Sequence, residues 1–306
     1  MAPSGEQIEI VGDGQRAVVV EVGGGLRSYS VDGVELLDGY PQTAMCTSGR
    51  GQLLIPWPNR LQGGTYEFDG RRHRLPLTEP ERGNAIHGLV RWSSWTVAER
   101  ASDRVAVRHI IHPQPGYPFE VDVRVEYALL PTGLTVTTTA TNVGAEACPY
   151  GNGAHPYLTL GTPSVDSIVL RAPGRSVLVS DDDGIPTGTV AVAGTEYDFL
   201  EPRLIGSVKL DNAYTELERD DDGVASVDLL HETSGAGVTV WLDQAYRYVM
   251  IFSGDPLPDV NRRSLAVEPM TCPPNAFRTG QDVVRLEPGA SFTSTWGLTP
   301  RFPRSS

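Results

Sequence analysis

Two side chains in this 306-residue chain stand where proton chemistry could be done. His155 lies in the stretch CPYGNGAHPYL at 148–158, among glycines and just before Pro156, where a strongly alternating run ends. Proline cannot donate to a sheet ladder and so marks a strand's edge or end; a histidine held there reads as part of a site rather than of a scaffold. Glu268 closes the apolar run SLAV at 264–267 and is locked by Pro269 at the head of EPMTCPPNAF. Glutamate is rarely buried without a partner, so this one is a tuned carboxylate or half of a structural salt bridge. An imidazole and a tuned carboxylate are together the means of general acid–base catalysis.

Three further stretches break the pattern with polar residues. In PWPNRLQGG at 56–64, Asn59 and Arg60 sit between strands in a segment whose prolines forbid regular pairing. Arg60 is either solvated there or, with its five donors, part of a hydrogen-bonding wall for a polyhydroxyl ligand. In NAIHGLVRWSSW at 84–95, His87 precedes Gly88 and two tryptophans, Trp92 and Trp95, follow closely. Such a loop suits the apolar face of a sugar ring, although His87 alone could be structural. Asp211, in LDNAY at 210–214, is a turn residue or a ligand-facing carboxylate.

Other chemistries find little support. The acidic runs at 180–184 and 219–223 lack the spaced ligands and distal glutamate of a calcium loop, and Asp-Gly between strand-like runs reads as a hairpin turn. Histidines and cysteines show no zinc-type spacing. There is no P-loop, and the glycines at 23–25 are not followed by a helical pattern. A net charge of −13 argues against nucleic acid or an anionic membrane as partner. Three well-separated cysteines suit a reducing compartment. With no signal-like N-terminus and no apolar run of membrane length, the reading is cytoplasmic.

The elements that must position these residues are strands. Residues 121–127 and 134–140 alternate strictly around a turn at 131–133, and further strands are expected near 167–171, 226–230, 238–242, 248–252 and 291–296. Hairpins are expected in the first 31 residues. No window of a dozen residues carries a helical period, and 33 glycines with 24 prolines leave little room for one. With no linker-like segment or composition shift, the expectation is an all-β protein: one domain over residues 1–306 built as a large antiparallel sandwich whose rim loops carry function.

Taken in order, NR at 59–60, AIHG at 85–88, HPYL at 155–158, DNAY at 211–214 and EPMTCPPNAF at 268–277 resemble the aldose 1-epimerase (galactose mutarotase) family, over most of the chain. The resemblance implies a β-supersandwich that interconverts the α and β anomers of an aldose. It implies His155 as general acid and Glu268 as general base, with Asn59, Arg60, His87, Tyr157 and Asp211 binding the sugar. Such a reaction opens the ring by taking a proton from the anomeric hydroxyl while giving one to the ring oxygen, from an acid and a base on opposite sides. It needs no metal, nucleotide or redox cofactor; a small sugar would be the partner, and the protein a monomer or homodimer. Leu89, Val90 and Arg91 after the HG pair, and YVMIFSG at 248–254, depart from galactose-converting members and leave the sugar open. HGLVR also resembles hexose-6-phosphate 1-epimerases, which would make Arg91, with Arg60 or Arg50, a phosphate site. A non-catalytic sugar-binding module on the same fold is the remaining reading.

Overall fold

A computed structural model describes residues 2–255, 257–258 and 261–302. Alternation becomes structure most directly in the strand Val121–Leu130, where Val121, Val123, Val125, Tyr127 and Leu129 are buried while the residues between them are partly exposed. Its hairpin partner Gly133–Asn142 places Val136, Thr138 and Ala140 inside and Thr135, Thr137, Thr139 and Thr141 on the outer face. The outer hydroxyls of Thr137, Thr139 and Thr141 meet those of Thr295, Thr293 and Ser291 on the strand Ser291–Arg301.

Among the described residues these strands belong to a nine-stranded antiparallel sheet. It runs in the order Thr96–Arg100, Arg104–Ile111, Val121–Leu130, Gly133–Asn142, Ser291–Arg301, Gly237–Leu242, Ala225–His231, Ile168–Arg171 and Arg203–Leu204. A second sheet of eight strands runs Pro186–Ala191, Gly174–Ser180, Asp211–Leu217, Tyr248–Phe252, Leu265–Met270, Gly153–Ala154 and Leu53–Leu54, with Tyr157–Leu158 also paired to Leu265–Met270. One apolar cluster joins them, taking in Val123, Val125 and Tyr127 of the first and Val249, Ile251 and Val267 of the second. The expected all-β sandwich is therefore the observed class. The first strands form a separate four-stranded meander, Gln7–Gly12, Gln15–Val20, Leu26–Val31 and Val34–Glu35.

Two local expectations need correction. The acidic turn at 181–184 closes a hairpin, with Asp181 accepting from the Asp183 and Ile185 amides. The matching run at 219–223 instead carries the chain from Asp211–Leu217 in one sheet to Ala225–His231 in the other, because those strands bury faces in different layers. Arg60 does not sit in unpaired loop: beyond the prolines, Arg60–Gln62 pairs with Asn84–Ile86. Among the described residues no helix is long and apolar enough to cross a membrane.

Candidate active site

The site is built on the face of the eight-stranded sheet that points away from the main core. Along Leu265–Met270 the ladder sets Tyr157 opposite Ala266 and Gly153 opposite Met270. The residues midway, His155 and Glu268, therefore face one another. Hydrogen bonds from the Val267 amide to the Pro156 carbonyl (3.1 Å) and from the Thr271 amide to the Asn152 carbonyl (2.9 Å) bracket them. By alternation His155 and Glu268 then fall at a non-hydrogen-bonded position, where opposed side chains approach most closely. The next strands continue the face: Met250 lies opposite Glu268, Ala213 opposite Met250, and Asp211 opposite Phe252.

His155 Nε2 lies 3.3 Å from Glu268 Oε1, and both side chains are almost wholly buried. The imidazole is stacked on the Tyr157 ring, with centroids 4.9 Å apart and planes at 20°. On its other side Gly49, at φ +76°, comes so near that a Cβ there would lie 2.9 Å from His155 Cδ2. His155 is also tied through its backbone, its amide donating to Gln52 (3.0 Å) and its carbonyl accepting from Gly51 (2.8 Å). Its Nδ1, and Oε2 of Glu268, have no hydrogen-bond partner among the described residues, so each keeps capacity for a ligand or water.

Burial sets the electrostatics. It raises the Glu268 carboxyl well above the ordinary carboxylate value, with Asp211 adding to the rise and Arg60 opposing it. It pushes His155 down to about 3, helped by the positive charges of Arg91 and Arg50. The two directions agree: both groups favour their neutral forms, so the pair holds one proton, on the carboxyl.

The opposite wall comes from the open end of the ladder between Arg60–Gln62 and Asn84–Ile86, where Asn59 precedes one strand and His87 follows the other. Asn59 and His87 both adopt left-handed backbone, at φ 55° and 62°. They clamp each other: the His87 amide donates to the Asn59 carbonyl (2.9 Å) and the Asn59 amide donates to His87 Nδ1 (3.2 Å). That bond makes Nδ1 the acceptor, so the proton of the neutral ring is on Nε2. Burial, then the neighbouring His155 and cations, keep His87 neutral. Its ring stands edge-on to His155, centroids 5.4 Å apart. Gly88 makes the turn possible, since a Cβ at φ +71° would come within 2.0 Å of the Ile55 carbonyl oxygen. The Arg60 guanidinium makes two hydrogen bonds to Glu79, at 2.8 and 3.0 Å. Asp211 is open to the cavity yet enclosed by protein, which raises its carboxyl against the pull of Arg60 and Arg82.

All seven residues singled out in the sequence, Asn59, Arg60, His87, His155, Tyr157, Asp211 and Glu268, line one cavity of about 510 Å³, a size suited to a small ligand. His155 and Glu268 meet at the floor of this concave, polar-lined cavity, and the family comparison is decisive: the aldose 1-epimerase family matches residues 6–299. The chain belongs to the aldose 1-epimerase family. It is 34% identical over 287 residues to YihR, an uncharacterized protein of Escherichia coli K12, covering 94% of this chain and 90% of that protein. It is 27% identical over 249 residues to the maltose epimerase of Levilactobacillus brevis, covering 72% and 71%. The crystal structure of galactose 1-epimerase from Lactobacillus acidophilus superposes with a TM-score of 0.80 over 96% of this chain and 94% of that one, at 19% identity, a likeness of fold. The protein is thus an isomerase of the aldose-epimerase type.

Within this epimerase several cavity residues carried no sequence signal. Glu79 is the partner that fixes Arg60, yet it stands in an unremarked turn, and its Glu-Pro pattern recurs at 201–202 and 287–288 away from the cavity. Gln52, Gly49, Met250 and Phe252 also line the cavity, and only strand register could have found the last two. The tryptophans divide: Trp92 lies exposed at the cavity, whereas Trp57 and Trp95 are buried in the core, because an indole is costly to leave in water. Arg50 is withdrawn from the cavity lining, its guanidinium 5.6 Å from the Tyr157 ring and 3.7 Å from Asp38.

Proposed function

We propose that this enzyme interconverts the α and β anomers of an unphosphorylated aldohexose, with Glu268 as base, His155 as acid, and Asn59, Arg60, His87, Tyr157 and Asp211 holding the sugar. The observation that carries the reading is the buried His155–Glu268 contact of 3.3 Å at the cavity floor. The pair is side by side rather than on opposite sides of a ring. This suits the reaction, because the anomeric hydroxyl and the ring oxygen are bonded to the same carbon. Glu268 takes the hydroxyl proton as His155 gives one to the ring oxygen, and the C1–O5 bond breaks to leave an open-chain aldehyde. Rotation about C1–C2 turns the other face inward. The ring then closes as His155 takes back the O5 proton and Glu268 returns one to O1.

The ring-bound state of this cycle has carboxylate and imidazolium; the aldehyde-bound state has the neutral acid and neutral imidazole. Burial favours the second form of the pair. Because burial keeps the resting pair neutral, its one proton passes from Glu268 to His155 across the 3.3 Å contact before Glu268 acts as base, and ring opening returns the pair to the form that burial favours. His87, with its proton on Nε2, and Arg60 supply donors to sugar oxygens. Asp211, two strands from Glu268, accepts from hydroxyls remote from C1.

One observation favours a second reading, a hexose 6-phosphate. Arg91 lines the cavity with its guanidinium on the Ile86 carbonyl (3.3 Å) and no ion-pair partner among the described residues. Against it, Arg60 is engaged with Glu79, and Glu81 and Asp211 would face the phosphate. Proton NMR on freshly dissolved α-glucose, α-galactose and α-glucose 6-phosphate tests both. Acceleration of a neutral hexose that survives Arg91→Ala supports the proposal. Acceleration of the phosphate alone, lost in Arg91→Ala, overturns it, as does no acceleration of any sugar.

A further inference from the structure

The acidic hairpin tip at 181–184 joins two strands at one edge of the eight-stranded sheet, Gly174–Ser180 and Pro186–Ala191. The nearer of them stands three places from the strand that carries Glu268. The tip nevertheless reaches the opposite wall of the cavity, where it meets Arg60 and Asn84. We propose that Asn84 and Gly184 are positioning residues for Arg60, which together hold its guanidinium so that Nη1 is presented to the sugar. This inference rests on the anomer-interconverting reading above, in which Arg60 donates to sugar oxygens.

Glu79 takes one edge of the guanidinium, through Nε at 2.8 Å and Nη2 at 3.0 Å. Such a two-point pair fixes the guanidinium plane. Nη1 makes no hydrogen bond among the described residues, so its N–H groups are left for a ligand. Gly184 stands against that side: a Cβ there would lie 2.5 Å from Nη1, 2.8 Å from Cζ and 3.0 Å from Cδ of Arg60. Only a glycine permits the contact, and the backbone at φ +75° asks for one as well. Arg60 is therefore held on both sides, by a carboxylate and by a bare backbone.

Asn84 ties the two restraints together. It is fully buried, and its Nδ2 donates to the Asp183 carbonyl (2.9 Å) and reaches Glu79 Oε2 (3.4 Å). Its backbone also holds the Glu79 turn, the Asn84 amide donating to the Glu79 carbonyl (3.1 Å) and its carbonyl accepting from the Glu79 amide (2.9 Å). Asn84 Oδ1 has no partner among the described residues, so what the buried amide supplies here is its donor. The tip that it grips is stiff. Asp181 Oδ1 accepts from the Asp183 and Ile185 amides, and the Gly184 amide donates to the Asp181 carbonyl (3.0 Å).

The need for a second restraint comes from where Arg60 stands. It lines both the cavity of His155 and Glu268 and a neighbouring one of about 350 Å³, which the pair does not reach. Without Gly184 against it, the guanidinium has room to turn into that second space, away from the pair. A hydrogen bond that must meet one oxygen of a bound sugar depends on such orientation.

A double-mutant cycle tests this, with anomer exchange of α-glucose and α-galactose measured in wild type, Gly184→Ala, Arg60→Ala and the double variant. Gly184→Ala is expected to lower kcat/KM about tenfold, within the range of coupling between touching residues, and less than about twofold once Arg60 is replaced. Asn84→Asp keeps the shape but turns the donor into an acceptor facing a carbonyl and a carboxylate, and should act in the same way. Protein labelled with ¹⁵N-arginine adds a readout besides activity. The Nε–H resonance of Arg60, identified by its loss in Arg60→Ala, should move in Gly184→Ala and in Asn84→Asp. Equal losses in the two Arg60 backgrounds, a wild-type rate in Gly184→Ala, or an Nε–H resonance that stays in place overturns the proposal. If no sugar equilibrates faster than buffer while the resonance still moves, it is the anomer-exchange reading that falls and the positioning of Arg60 that stands.

Discussion

Replacing His155 by asparagine should separate what the residue does for catalysis from what it does to stability. Burial holds the imidazole neutral down to about 3, against an ordinary value of 6.5. Below pH 6.5 the unfolded chain therefore binds a proton at this position that the folded chain refuses. Stability contributed here is complete above pH 6.5 and is lost as the pH falls toward 3. At pH 5 the loss is about 1.5 units of the titration, or about 2 kcal/mol. His155→Asn removes that dependence while also removing the stack on Tyr157 and some packing beside Gly49. The packing cost is the same at every pH, so it cancels in a difference. The Glu268 titration persists in both proteins and cancels to first order.

Urea unfolding of both proteins at pH 7.5 and pH 5.0 makes the measurement, with equal m-values as the check that the unfolded states are comparable. Relative to wild type, the variant should gain about 2 kcal/mol on going from pH 7.5 to 5.0. Its anomer-exchange activity should be lost at both. A variant whose deficit is the same at the two pH values would show that His155 titrates normally in the fold and would refute the neutral-pair argument.

Glu268→Gln, nearly isosteric, should reduce kcat by about 10²–10⁴-fold with little change in KM, the usual range for a general base; polarimetry on a fresh α-anomer measures it. The pH profile of wild-type kcat/KM should show no inflection near 6.5 on its acid side, activity falling only toward about 3, where His155 takes up a second proton in the pair. Its alkaline limb, where the shared proton leaves, should lie well above the ordinary carboxylate range. Gly88→Ala should destabilise the protein by about 3 kcal/mol or more, since left-handed strain adds to a contact with Ile55 backbone that cannot swing aside; a urea midpoint shift worth less than about 1 kcal/mol would show that the turn can relax.

The strands were legible where one face meets the core and the other meets water, as in Val121–Leu130 and Gly133–Asn142, where buried and more exposed residues alternate. They were less legible in the eight-stranded sheet, whose strand Leu265–Met270 is buried on both faces and so shows no alternation. The site residues stood out by their local context: a histidine before proline, a glutamate ending an apolar run, an Asn-Arg pair between prolines and glycines, and a His beside Gly88 and two tryptophans. Glu79 has no such context, since its importance comes from Arg60 across a turn. The run at 219–223 misled for a related reason. An acidic turn looks the same in sequence whether it returns the chain beside itself or carries it to the other sheet, and only the buried faces of its flanking strands decide. Leu178, Tyr197 and Lys209 form no motif at all; they share a cavity only through register and sheet order.

The two prolines beside the catalytic candidates acquire a common explanation from that register. Pro156 faces Val267 and Pro269 faces Ala154, the hydrogen-bonded positions on either side of the His155–Glu268 pair. Neither proline has an N–H to donate, so each position makes at most one ladder bond in place of two. The strands thus keep the alignment that aims the two side chains at each other, and give up the closest pairing where the proposed reaction would bring C1 to them. His155 is steadied instead from its other edge, by Gly51 and Gln52. What looks in sequence like a strand spoiled twice is a ladder thinned on both sides of one pair.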